Sequence, residues 1–320
     1  MILTSPKSIG FWTGFFLFLL ICTIPGTDSL SKEAIYVTAV VVLMATWWAT
    51  EAIPLPATAL LPLALFPMLG IFGDIPSKDA FQLSANPYAH NNVFLFLGGF
   101  ILALAIERVN LHKRMALKML LLVGTDSKYL IGGFMLVSGL LSMWIFNTST
   151  TLMLLPIALA VATVVKSTTN ESNEKQFENF QVSLLLGIAY AATIGGMATI
   201  VGTGPNVLVV GLLLDEGIEV DFLDWMLLAT PISFIMLIAG WYLLTHVIFP
   251  SSLSGTNKTF DELKKLYLNL GKVTSDEKRV FIIFCITAFC WIFRKLIILI
   301  PGFSGLTDYG IAIFAALALF

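Results

Sequence analysis

The groups in this sequence best placed to do chemistry are uncharged. Asn147, Thr148, Ser149, Thr150 and Thr151 interrupt the apolar run at 129–165, and Gly195, Gly196, Gly202, Gly204, Pro205 and Asn206 interrupt the run at 181–214. Glycines this close together beside a proline favour a broken helix, and a polar turn inside the first run favours a re-entrant hairpin. A break ends one helix in bare carbonyls, which suit a cation, and starts the next with free amides, which suit an anion. Asn147, Thr148 and Thr151 could replace water around a carboxylate without burying a fixed charge. Paired breaks of this kind point to a solute site at membrane depth. Two blander readings stay open: full helices sharing a hydroxyl patch at 147–151, and a small-residue packing ridge at Gly187, Ala191 and Gly195. Neither accounts for Thr203-Gly204-Pro205-Asn206.

Other reactive types are poorly placed for catalysis. Glu51, Glu107, Arg108, Arg294 and Lys295 fall near the ends of apolar runs, so no acid or base sits at depth as a proton pump or intramembrane protease requires. His90, His112 and His246 flank spans and read as interfacial, with no His or Cys partner at metal spacing; Cys22, Cys285 and Cys290 form neither a CxxC nor a disulfide framework. Trp12, Trp47, Trp48, Trp225 and Trp241 read as interface or packing aromatics. The chain is therefore expected to be no enzyme and to hold no resident cofactor.

What must position the two breaks is a set of helices in a lipid bilayer. At 320 residues, 58% apolar and 12% charged, with a mean hydropathy of +0.90, the chain is an integral membrane protein. Its net charge of -2 excludes a nucleic-acid partner recruited by a basic surface. A span needs ~20 residues to cross ~30 Å of hydrocarbon. Apolar runs centre on 9–24, 34–50, 55–73, 92–106, 129–165, 181–214, 222–249, 278–300 and 309–320. The first runs into Pro25 and Gly26 in place of a small-residue cleavage site and reads as a span. With Lys7 in the cytoplasm and sides alternating, every Lys and Arg is cytoplasmic except Lys32, Lys78, Arg294 and Lys295, and the acidic loop from Asp215 to Asp224 lies outside. The polar segment 250–277 repeats Phe260, Leu263, Tyr267 and Leu270 at helical spacing, as an amphipathic linker on the membrane surface would.

Trp47-Trp48-Ala49-Thr50-Glu51-Ala52-Ile53-Pro54, and Leu97-Gly98-Gly99-Phe100 through Leu111-His112-Lys113-Arg114, resemble the divalent anion:sodium symporter family. Ser142-Met143-Trp144-Ile145-Phe146-Asn147-Thr148 is similar to that family's first Ser-Asn-Thr hairpin. Gly195-Gly196-Met197-Ala198-Thr199 through Gly204-Pro205-Asn206 is similar to its unwound fifth helix. The resemblance implies an all-α integral membrane protein of inverted repeats. It would work as a homodimeric elevator carrier that moves Na+ with di- or tricarboxylates such as succinate or citrate across an inner or plasma membrane. It assigns scaffold helices with an interfacial helix to 1–129, a transport unit to 130–249, a cytoplasmic linker to 250–277 and the start of a second repeat to 278–320. Matched residue by residue, it places sodium at Ser142, Phe146, Asn147, Gly195 and Gly196, and substrate at Asn147, Thr148, Thr203 and Pro205. Phe146 stands where the family usually has Ser, so that position could offer sodium only its backbone carbonyl. Glu51, beside Pro54 and Pro56, is expected to be structural.

The family has two repeats, each with a hairpin and a broken helix, and one set is present. With 309–320 too short to cross, the resemblance implies a C-terminally truncated chain that does not transport alone. Two rivals stand beside the symporter: a sodium-independent or proton-coupled anion exchanger or sulfate carrier on the same scaffold, and a non-transporting membrane protein whose hairpin is structural.

Overall fold

A computed structural model of the chain describes residues 5–167, 174–253 and 257–320; residues 254–256 of the polar segment read as a linker lie outside them. In chain order the helices are α1 (Pro6–Thr23), α2 (Lys32–Thr50), α3 (Leu55–Ala59), α4 (Leu61–Met68), α5 (Ser77–Ala85), α6 (Asn91–Arg108), α7 (Leu111–Val123), α8 (Ser127–Ser142), α9 (Asn147–Ser167), α10 (Glu174–Gly196), α11 (Gly204–Asp215), α12 (Phe222–Tyr242), α13 (Asn257–Asn269), α14 (Ser275–Ile292), α15 (Arg294–Ile297) and α16 (Asp308–Ala318). A 3-10 turn, Ile200–Gly202, lies between α10 and α11, and a π-helical turn, Leu243–Ile248, continues α12. No strand occurs among the described residues. Among the described residues six helices are long and apolar enough to cross a membrane: α1, α2, α6, α9, α10 and α12 with its π turn.

The chain divides into two compact units, Met1–His90 and Asn91–Phe320, so α6 and α7 pack with the helices that follow them. In the first unit α1 and α2 meet through glycine: a Cβ on Gly10 would lie 2.1 Å from Thr50 Oγ1, and one on Gly14 2.8 Å from Trp47 Cδ1. The Trp47 ring stacks on Phe11 at 4.8 Å, and its indole N–H donates to the Phe11 carbonyl at 3.1 Å. Lys32 donates to the Cys22 and Ile24 carbonyls at 2.8 and 2.7 Å, satisfying groups that the end of α1 leaves open. Glu51 ends α2 with a left-handed φ of 47°, and its exposed carboxylate meets Lys7 at 3.2 Å. The apolar run at 55–73 is two short helices, α3 and α4, and not one span. Pro56 and Pro62 fit first turns, whereas Pro67 inside α4 removes a hydrogen bond that a longer helix needs.

In the second unit the main core lies around α8 and α10, with α7, α9 and α13 packed on it. The glycines of Leu97-Gly98-Gly99-Phe100 serve close packing, since a Cβ on Gly98 would fall 2.4 Å from the Ala312 backbone of α16. Helix α13 buries Leu263 completely against α7 and α9 and leaves Phe260 exposed, so the amphipathic segment docks on protein. Arg114 of α7 fixes where α13 ends. It donates to Glu277 Oε1 at 3.1 Å and to the Gly271 and Leu270 carbonyls at 3.0 and 3.2 Å. Glu277 also accepts from the Thr274 backbone N–H at 2.8 Å, completing the capping box that opens α14. Both charged side chains are under 10% exposed, and removing one member of such a pair strands the other's charge. Arg114→Ala is expected to cost about 3–5 kcal/mol, read as a fall in thermal unfolding temperature in detergent. Arg114→Met combined with Glu277→Leu should cost distinctly less.

Candidate functional site

Helix α8, at 16 residues, is about 24 Å long and stops short of the ~30 Å hydrocarbon core. It ends at Ser142 and α9 begins at Asn147, so the turn is Met143 to Phe146 and not within the polar run 147–151 that the sequence marks as the interruption. The backbone explains the shift. Trp144 and Ile145 N–H groups fold back on the Leu141 carbonyl at 3.0 and 2.9 Å, and the Phe146 carbonyl accepts from Thr150 N–H at 2.9 Å to start α9. Two aromatic side chains anchor the turn. Trp144 stacks near Phe222 and Trp291 and meets Phe284 edge-on at 5.1 Å. Phe146 stacks on Phe100 at 3.8 Å and meets Phe96 edge-on at 5.4 Å.

The second polar stretch is a true interruption, with α10 ending at Gly196 and α11 starting at Gly204. An unwound segment strips carbonyls of helical partners, and side chains replace them. Asn206 Nδ2 donates to the Gly196 and Thr199 carbonyls at 2.9 and 2.8 Å, with Met197 O at 3.4 Å. Trp225 Nε1 donates to Met197 O at 3.0 Å, and Thr230 Oγ1 to Ala198 O at 3.2 Å. Thr199 donates its hydroxyl to the Met143 carbonyl, which ties the unwound segment to the hairpin turn.

The two breaks meet at glycine. A Cβ on Gly195 would lie 2.1 Å from the Gly139 carbonyl of α8, and one on Gly196 would lie 2.3 Å from Asn147 Oδ1. Ser142 Oγ donates to the same Asn147 oxygen at 2.7 Å. Ser142, Asn147, Gly195 and Gly196 are thus brought together, offering hydroxyl, amide and carbonyl oxygens of the kind hard cations take, and none of them is ionisable. Phe146 has a hydrocarbon side chain that stacks on Phe100, and its backbone carbonyl accepts from Thr150 N–H as α9 begins. Thr148 is exposed in the first turn of α9, where free amides favour an anion. Thr151 is a different case from the one expected: its hydroxyl bonds back to the Asn147 carbonyl at 2.8 Å. Thr150, by contrast, has a buried hydroxyl with no hydrogen-bond partner among the described residues. Thr203 and Pro205 open α11 without bonding to the hairpin turn.

Sequence reasoning missed the supports. Trp225, read as an interface or packing aromatic, holds a carbonyl of the unwound segment; Thr230 carried no local signal, and Thr199 stood only as the end of the glycine motif. Arg294 and Lys295 were likewise read as interfacial. Arg294 bonds the Asp221 carboxylate and lies with Nε 2.9 Å from Asp308 Oδ1, though off the hydrogen-bond direction, while Lys295 meets Asp224 at 2.7 Å. No group of three or more His, Cys, Asp and Glu positioned for a metal occurs among the described residues. The glycine contacts separate two substitutions. Gly195→Ala drives a methyl into backbone and is expected to cost about 3 kcal/mol. Gly187→Ala meets side chains and no backbone, Met135 at 3.0 Å and Ile131 at 3.5 Å, and should be close to neutral because Ala is the better helix former. Thermal unfolding of the two variants tests the contrast.

Residues 7–319 match the family model described as the sodium:sulfate symporter transmembrane region. The chain is 37% identical over 320 residues to a sodium-dependent dicarboxylate transporter SdcS of Staphylococcus aureus, an alignment covering 99% of this chain and 60% of that protein. It is 35% identical over 315 residues to the transporter of the same name in Staphylococcus saprophyticus, covering 98% of this chain and 59% of that one. The chain spans about 60% of the length of these curated relatives. A match that runs through the hairpin and the broken helix alike places this integral membrane chain in the sodium:sulfate symporter family.

Proposed function

We propose that the protein carrying these residues is a secondary active transporter that moves Na+ with a di- or tricarboxylate such as succinate or citrate. The observation that carries this reading is the meeting of Asn147 Oδ1 with Ser142 Oγ and the Gly196 backbone, an uncharged cluster of oxygens where the hairpin turn packs against a broken helix. Sodium sits between Ser142, Asn147 and the carbonyls of Gly195 and Gly196. The carboxylate takes the amide end of α9 at Asn147 and Thr148, with Thr203 and Pro205 at the start of α11 closing on it. Neutral ligands favour this division of labour, because helix-end dipoles complement either ion and let both leave again. Relatives named as sodium-dependent dicarboxylate transporters support the choice of cargo. The same reading has a homodimer working as an elevator in an inner or plasma membrane, with the N-terminus cytoplasmic as the Lys and Arg distribution favours. Scaffold helices come from 1–129, the moving part from 130–249, a cytoplasmic linker from 250–277, and a second repeat begins at 278.

Phe146 favours one alternative, sodium-independent exchange of an anion, because it removes a side-chain oxygen from the cation's shell. Uptake of labelled succinate by the full-length protein in proteoliposomes separates the two. We expect uptake to require sodium, Asn147→Ala to lower it more than about tenfold, since a hydrogen bond to a charged group is worth ~1.5–3 kcal/mol, and Phe146→Ser to reduce the sodium needed severalfold. Equal uptake with choline replacing sodium contradicts the symporter and supports exchange. Undiminished uptake by Asn147→Ala contradicts any transport role for this turn.

A further inference from the structure

The unwound segment between α10 and α11 exposes the backbone groups that face Asn147, and the side chains that hold its other carbonyls decide how those groups lie. Two of the holders come from a single helix. Trp225 and Thr230 of α12 take the adjacent carbonyls of Met197 and Ala198, at 3.0 and 3.2 Å. Among the described residues Ala198 O has no other donor, and Met197 O has only the longer contact to Asn206 at 3.4 Å. Around them α12 is an apolar helix with little of its surface buried, so these are inward polar groups on an element that otherwise faces its surroundings. An unpaired carbonyl in such an environment costs several kcal/mol, so each bond fixes a peptide plane firmly. Those planes directly follow Gly195 and Gly196, whose backbone lies against Gly139 and Asn147.

We propose that Trp225 and Thr230 are positioning residues for the cation site: by pinning the Met197 and Ala198 carbonyls to α12, they hold the Gly195–Gly196 backbone in register with Asn147. The proposal rests on the sodium reading of that site and adds α12 to it. Ser233 supplies an internal control. It lies one turn beyond Thr230, with a buried hydroxyl that bonds nothing among the described residues, beside a cavity of about 20 Å³ whose lining includes Gly139, Met143, Gly195 and Ala198. It touches the same region without holding a carbonyl.

The test uses the full-length protein in detergent, with Trp225→Phe, Thr230→Val, the conservative Thr230→Ser and the control Ser233→Ala. Hydrogen exchange of the amides at 196–204 is followed across a sodium titration with potassium keeping ionic strength constant. We expect Trp225→Phe and Thr230→Val to exchange about tenfold faster in this segment, as loss of one hydrogen bond implies, and to need severalfold more sodium for half-maximal protection. Thr230→Ser and Ser233→Ala should match the parent. A parent protected by sodium, with Trp225→Phe and Thr230→Val protected at the same sodium concentration, overturns the positioning role even if both variants melt earlier. A parent whose segment ignores sodium altogether overturns the sodium reading and this proposal with it.

Discussion

Backbone carbonyls and amides cannot be left unpaired in hydrocarbon, and the chain nevertheless unwinds a helix between Gly196 and Gly204. Everything distinctive about the second unit follows from how that debt is met. Asn206 reaches back across the break to two carbonyls, Trp225 and Thr230 take two more, and Thr199 spends its hydroxyl on the hairpin turn. The donors are all neutral. A charged donor would tie up an ion's ligands or compete with the ion, whereas amides, indole and hydroxyl leave lone pairs and dipoles available for a solute.

Close packing is the second requirement, because helix ends can cooperate only if they meet. Gly139 and Gly195 let α8 and α10 approach until backbone touches backbone, and Gly196 admits the Asn147 side chain. Trp144 and Phe146 then root the turn in two aromatic clusters. At Phe146 these requirements conflict: a ring that secures the turn replaces a hydroxyl that would serve a cation. On the sodium reading proposed above, the remaining oxygens of Ser142 and Asn147 would carry more of the cation's shell than they would beside a serine.

The breaks were legible in the sequence because glycine, proline and a Ser/Thr run are local signals, and Ser142, Asn147, Gly195 and Gly196 do converge. The position of the turn was not, since Met143 to Phe146 is apolar and reads as helix until Leu141 is seen accepting two N–H groups. Long-range partners were equally hidden. Nothing near Arg114 announces Glu277, and nothing near Trp225 announces the Met197 carbonyl, because each pairing depends on how helices stack and not on periodicity along one of them. At 55–73 an apolar run long enough to span is cut by its prolines into α3 and α4, because hydropathy alone does not register where a helix must break.

A site made of Ser142, Asn147 and glycine backbone has no group that titrates near neutrality, which sets it apart from a site where a carboxylate or imidazole holds the ion. Sodium binding without substrate, measured on the full-length protein by thermal shift at several values between about pH 6 and 8, reads this directly. Affinity constant within about twofold across that range is the result expected of neutral ligands. Affinity that falls about tenfold for each unit of acidification, as competition by one proton requires, would show an ionised side chain at the cation and contradict a site built from helix ends.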